Sequence, residues 1–286
     1  MVFRGFPSSH QDHSGIAVLD DARTACYSPV LDSAGECQFG IGDMEIHDRI
    51  TPQMVEKFES RIRQSPLVVM DGNIPRETMN YILGLCKDAT VPVWFEPTDL
   101  RKAAKPFSTD LWKTMSFISP NLNELRMIAK SIGVCSSSVE IPISEMSPGE
   151  VLEETCSLAK ELAEHIYMVL VTLGHLGVMV VRKGTADDIL FQAGKLVHTT
   201  RNNDPVSARL YSCPQVEKLV NVSGAGDCFA AGFIVAMLQG LSECRCAAVG
   251  TSCAALALQT SSAVPAQLVP AKNTAWSLKA CFQQLL

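Results

Sequence analysis

Apolar residues along this chain arrive in short unbroken runs, and between the runs they recur at the spacing of an amphipathic helix. The runs at 67–70, 91–95, 115–118, 167–172 and 178–181 predict strands, and 216–222 also looks strand-like. Thr51 can cap a helix with Pro52 at its first position, and Met54, Phe58 and Ile62 share a face. Pro75 starts another helix, with Met79, Ile82, Leu83 and Cys86 turned inward. Further helices are expected from Asn121 through Lys130, over 151–165, and from Asp227 onward. Residues 24–42 depart from this rhythm: 24–31 and 38–41 flank Asp32-Ser33-Ala34-Gly35, a hairpin composition. The polar stretch 201–214 reads as a surface loop. Repeated strand–helix units imply an α/β fold of parallel strands with helices on both faces. Ligands in such sheets sit beyond the carboxyl ends of strands, here after Met70, Phe95, Ile118, Thr172 and Val222.

With 286 residues the chain can bury a substantial core, as one large or two unequal domains. Its net charge is −6 and no long basic run occurs, which argues against nucleic acid as a partner. An anionic substrate must instead be held by local N–H groups, a few cations and Mg²⁺. The 11 cysteines are irregularly spaced and read as reduced core thiols. No signal-peptide core opens the chain and no apolar run has bilayer length, so a cytoplasmic protein without membrane contact is expected.

The most constrained segment is Asn221-Val222-Ser223-Gly224-Ala225-Gly226-Asp227, followed at once by an apolar helix with Ala230, Ala231 and Gly232 in its first turns. Small residues let backbone N–H groups converge on one point, and a helix start favours an anion there. A carboxylate beside that point suits a general base next to a phosphate in transfer. A tight turn with a capping Asp is the plainer alternative.

This segment resembles the C-terminal signature of the ribokinase-like (PfkB) carbohydrate kinases, Asp-Thr-x-Gly-Ala-Gly-Asp, with Asn221 at the usual first Asp. The resemblance implies a three-layer ribokinase-like sandwich with a mostly parallel central sheet and a small β lid. It implies a kinase domain over 14–286, with 24–42 as the lid and 1–13 as an atypical segment. It also implies transfer of the terminal phosphate of ATP to a sugar or nucleoside hydroxyl. Asp227 would deprotonate that hydroxyl, and the amides of Gly224, Ala225 and Gly226 would hold the phosphoryl charge. Pairing of two copies through the lid, and a K⁺ near the anion hole, are further implications.

Asn121 and Glu124, three apart at a helix start, fit a capping box as well as a ligand pair. They also resemble the family's Asn-x-x-Glu motif, which organises Mg²⁺ and its waters; Glu124 would act on the metal through water. Thr172, Gly174 and Gly177 fit a hairpin turn, and resemble the family's nucleotide motif. His175 reads as a solvent-facing turn residue. Asn73 could bond acceptor hydroxyls and Glu96 could support the metal's water shell; turn chemistry is the alternative for both and for Asp71. Lys102 and Lys105 read as solvated helix charges ahead of phosphate ligands. A helix over 250–259 could flank adenine or serve core packing.

The stretches Arg23-Thr24-Ala25-Cys26-Tyr27, Gly42-Asp43-Met44, Asp71-Gly72-Asn73 and Phe95-Glu96-Pro97 look most like the pseudouridine kinase branch, which places Tyr27 and Asn73 at the acceptor. Ribose, adenosine or another sugar would use the same chemistry. The family's opening strand and its Gly-Gly segment have no counterpart in 1–13. That departure motivates an alternative, a shortened form that binds nucleotide without turnover.

Overall fold

Strand Met168–Thr172 shows how the sheet is built: successive side chains are sent to two different cores. Val169 and Val171 join the apolar cluster on one face, Met168 and Leu170 the cluster on the other. Both faces are covered by helices, so the strand reads as a continuous apolar run with no polar side.

The computed structural model describes residues 12, 14–31, 37–134, 141–197, 204–268 and 274–286. Its strands are β1 (Cys26–Leu31), β2 (Cys37–Asp43), β3 (Val68–Asp71), β4 (Val93–Glu96), β5 (Met115–Ile118), β6 (Met168–Thr172), β7 (Val178–Lys183), β8 (Phe191–Gln192), β9 (Lys195–Leu196), β10 (Val206–Tyr211) and β11 (Phe282–Gln284). Its helices are α1 (Pro52–Glu56), α2 (Glu59–Gln64), α3 (Arg76–Ala89), α4 (Leu122–Ser131), α5 (Pro148–Ala163), α6 (Ala225–Leu238) and α7 (Glu243–Leu258). A seven-stranded sheet runs β11-β10-β7-β6-β5-β4-β3. Strands β3 to β6 are parallel, and β7, β10 and β11 extend the sheet antiparallel. Helices α3, α4 and α5 cover one face; α6 and α7 cover the other, making three layers. β1 and β2 form a separate antiparallel pair, the expected hairpin, whose turn 32–35 lies outside the described residues, as does most of 1–13.

The predicted inner face of α3 holds: Met79, Leu83 and Cys86 are fully buried and Ile82 nearly so. Each such side chain contributes roughly 1.5–3 kcal/mol by leaving water. Helices α6 and α7 approach closely because Gly232 and Gly250 lack side chains. A Cβ at 232 would lie 2.6 Å from Cys253 Sγ, and one at 250 would lie 2.9 Å from the Phe229 ring. Gly232 and the small residues of 250–259 therefore serve helix packing.

Three expectations are corrected. The stretch 201–214 is not a surface loop: 206–211 is the buried strand β10, while 201–203 lie outside the described residues. Its polar look comes from Ser207 and Arg209, and the Arg209 side chain is only 2% exposed. Arg209 and Arg182 both pair with the fully buried Glu243 at the start of α7, and Tyr211 donates its hydroxyl to the same carboxylate at 2.8 Å. Residues 216–222 form no strand; the amides of Val220 and Asn221 donate to the Leu258 carbonyl at the end of α7. The helix expected from Thr51 breaks at Lys57–Phe58 into α1 and α2, and the Thr51 side chain makes no capping bond.

Candidate active site

Gly224 stands at φ +79°, and a Cβ there would collide with the Ala263 carbonyl oxygen, so only glycine fits. Asn221 Oδ1 accepts the Ser223 amide at 2.9 Å, which shapes the approach to that turn. No side chain caps α6. The Ala225 amide makes a long 3.4 Å bond to the Val222 carbonyl. Among the described residues, the amides of Gly224, Gly226 and Asp227 have no acceptor. A side chain at Gly226 would project into open space. Free donors, a helix dipole and empty volume thus meet at one spot.

Asp227, in the first turn of α6, is exposed rather than packed into the interior. Desolvation by the protein around it raises its pKa, and the charge of Asp71 adds to the rise. That makes it a stronger base than a surface aspartate while it stays accessible.

The carboxyl ends of β3, β4 and β5 bring more carboxylates into its field. Burial raises the Glu96 pKa to about 8, against a hydrogen bond from Ser119, and the charges of Glu124, Asp227 and Asp71 push further upward. Burial likewise raises Glu124 to about 7, with Asp99 and Asp227 contributing and the Asn121 bonds opposing. Both readings of Asn121 and Glu124 find support. They form a complete capping box, with Asn121 Oδ1 accepting the Glu124 amide at 3.0 Å and Glu124 Oε2 accepting the Asn121 amide at 2.8 Å. The same glutamate is buried and electrostatically coupled to Asp227.

Lys102 and Lys105 depart from expectation: neither is a solvated helix charge. Lys102 Nζ sits 2.7 Å from Asp99 and donates to Asn73 Oδ1 at 2.9 Å. Lys105 Nζ donates to the carbonyl oxygens of Gly72 (2.8 Å), Ile74 (3.2 Å) and Asn73 (3.4 Å). Asn73 Nδ2 in turn donates to Asp71 Oδ2 at 2.7 Å, so the whole turn after β3 is held by charged and polar side chains. Thr98, which the sequence did not single out, accepts the Gly72 amide at 3.1 Å.

Thr172 lies beside Asn121, joined by a backbone bond from its amide to the Pro120 carbonyl at 3.0 Å. The 173–177 turn does close a hairpin between β6 and β7, with His175 exposed. Gly174 opens onto free space, whereas a side chain at Gly177 would strike the Tyr211 carbonyl. Gly177 is thus needed for packing, while Gly174 is constrained by its backbone at φ +57°. Tyr27 belongs to the β1–β2 hairpin, is 55% exposed and covers Gly40. The strand ends thus bring Asp71, Glu96, Glu124 and Asp227 within one electrostatic field and set Asn121 against Thr172, while Tyr27 lies on the β1–β2 hairpin.

A family model described as pfkB family carbohydrate kinase matches residues 8–269. The curated pseudouridine kinase of Arabidopsis thaliana is 25% identical over 276 residues, covering 88% of this chain and 72% of that protein. The pseudouridine kinase of Escherichia coli K12 is 23% identical over 242 residues, covering 84% of this chain and 64% of that one. The chain therefore spans less than two thirds of the bacterial enzyme's length. Among solved structures, Arabidopsis thaliana ribokinase complexed with ribose and ATP superposes with a TM-score of 0.59 at 22% identity, over 85% of this chain and 65% of that one. A carbohydrate kinase from Agrobacterium tumefaciens gives 0.58 at 18% identity, over 93% and 72%. At these identities the superpositions establish the fold.

Proposed function

Because this chain belongs to the pfkB family of carbohydrate kinases, we propose that it transfers the terminal phosphate of ATP to a hydroxyl of a ribose-containing nucleoside, with pseudouridine as the preferred acceptor. The observation that carries the reading is the start of α6, where an accessible carboxylate with a raised pKa adjoins unpaired amides and open space. The two curated relatives named pseudouridine kinase support the acceptor class.

In this reading Asp227 takes the proton of the acceptor hydroxyl. The free amides of Gly224 and Gly226 hold the transferred phosphoryl, the latter having the most room, and the Ala225 amide joins them by giving up its long bond to Val222. Thr172, beside Asn121, and Gly174 face the nucleotide phosphates, and Asn73 and Tyr27 lie on the acceptor side. Gly177 keeps the nucleotide turn seated on β10. Such catalysis rests on positioning and charge stabilisation.

The residues present fit a Mg²⁺ held through its waters. Among the described residues no three His, Cys, Asp or Glu side chains are placed to enclose an ion. Glu96 and Glu124 are hard oxygen donors whose pKa values are raised chiefly by burial, with neighbouring carboxylate charge adding to the rise. Bound there with ATP, Mg²⁺ would offset the charge of the phosphate oxygens.

The test is a panel of pseudouridine, uridine, adenosine and ribose, read by ADP release and by mass of the product. Pseudouridine-dependent ADP release that vanishes in Asp227→Asn is the expected result. Release with no acceptor preference, or unchanged release in the variant, would overturn the proposal.

A further inference from the structure

Ser119 joins the most buried tryptophan of the sheet to the carboxylate at the end of β4. Trp94 is fully buried and held between aromatic rings: it stacks on Phe117 at 5.4 Å and 18°, and tilts against Phe233 of α6 at 5.9 Å. Its indole N–H donates to Ser119 Oγ at 2.7 Å. Ser119 is 4% exposed, and its hydroxyl contacts Glu96 Oε2 closely.

The direction of this chain of bonds is fixed by donor count. An indole nitrogen can only donate, so it occupies a lone pair of the serine oxygen. The single hydroxyl proton of Ser119 is then left for Glu96, and Oε2 accepts it while the acid is ionised. The other oxygen, Oε1, takes no part in that bond, and the carboxyl as a whole stands in the field of Glu124, Asp227 and Asp71. Turning both carboxyl oxygens away from Ser119 would strand a buried donor, at a cost of about 1–3 kcal/mol. Strands β4 and β5 are further tied here by the Ser119 amide, which donates to the Phe95 carbonyl at 3.2 Å.

We infer that Ser119, oriented by Trp94, is a positioning residue that aims Glu96 Oε1 at the water shell of the divalent cation. Nothing in the reaction passes through Ser119 itself. The inference rests on the proposed kinase reading for its metal, and deepens it by assigning a residue that the sequence did not single out.

The experiment compares wild type, Ser119→Ala, Ser119→Thr and Glu96→Gln. The first readout is tryptophan emission during Mg²⁺ titration with ADP present, which needs no turnover. The second is the Mg²⁺ dependence of ADP release. In Ser119→Ala the half-saturating Mg²⁺ should rise on the order of tenfold in both readouts, as for lost outer-shell partners of metal ligands. The acceptor KM should hold, Ser119→Thr should restore the wild-type value, and Glu96→Gln should match the alanine variant. A half-saturation in Ser119→Ala equal to wild type, or a loss that threonine fails to repair, would overturn the inference. Should wild type release no ADP with any acceptor, the kinase reading fails separately, and the emission titration still decides the role of Ser119.

Discussion

Glu124 accepts the Asn121 amide at 2.8 Å while its own amide donates to Asn121 Oδ1 at 3.0 Å, so one carboxylate both seals the start of α4 and stands in the field of Asp227. The two duties separate by substitution. Glu124→Gln keeps an oxygen for the reach back to Asn121 but removes the negative charge. Its stability should stay within about 1 kcal/mol of wild type, the ordinary worth of a cap, while ADP release falls and needs more Mg²⁺. Thermal melts beside kinetics check this; equal turnover in the variant would confine Glu124 to capping.

Asp227→Asn changes one atom at an exposed position and removes the base. The fold should survive, since among the described residues the Asp227 side chain makes no hydrogen bond or ion pair that α6 depends on. Turnover should fall by roughly 10²–10⁴, the usual contribution of a positioned base. Nucleotide affinity, read by the ADP-induced rise in melting temperature, should change little.

Glu243 offers a test of the fold rather than the chemistry. It is fully buried and compensates two buried guanidinium groups, Arg182 and Arg209, besides accepting from Tyr211. Glu243→Ala should cost about 3–5 kcal/mol, because it leaves buried charge unpaired. Urea unfolding monitors the loss. A cost under about 1 kcal/mol would mean that the arginines find other partners.

That network also marks where the sequence stopped being legible. Strands β3 to β6 and helix α3 were readable because each buries one kind of surface and announces it with apolar residues. β10 was hidden because Ser207 and Arg209 look solvent-facing until Glu243 is known to lie against them. That partner is 34 positions away and on another element. Lys102 and Lys105 failed for the same reason: their acceptors are on the turn after β3, and helical spacing says nothing about what lies across the crevice. Asp227, Asn121 and Glu124 could be placed from the sequence because their positions are set locally, by a turn and a helix start. Ser119 gave no signal, its importance arising from Trp94 and Glu96 on a neighbouring strand.

The raised carboxyls set the pH dependence of stability. Glu96 and Glu124 start from a value of 4.5 and rise to about 8 and about 7 in the folded protein, chiefly through burial. Between those values the folded chain holds protons that the unfolded chain has released. Their contribution to stability is complete below 4.5 and is lost as pH climbs through about 7 and then about 8. Without Mg²⁺, the difference in melting temperature between wild type and Glu96→Gln should therefore shift against wild type from pH 5 to pH 8.5. A difference that stays flat, or moves in wild type's favour, would show that Glu96 is ionised throughout.

Two glycines two positions apart give the sharpest separation of structure from chemistry. At Gly224 a methyl group would collide with the Ala263 carbonyl at a backbone angle of φ +79°, so Gly224→Ala must distort the turn and should destabilise the protein. At Gly226, inside the first turn of α6, a methyl group meets nothing within 4 Å. Alanine is the better helix former by about 1 kcal/mol, so Gly226→Ala should melt at or above wild type. Its methyl group nonetheless occupies the space beside the unpaired amides where a phosphoryl oxygen would sit. Turnover should drop by at least about tenfold in a protein that is no less stable, since a 1 Å displacement of a reacting group can cost that much and more. If Gly226→Ala keeps full activity, the volume beside α6 is not where the phosphate is held, and the amides there serve only the turn.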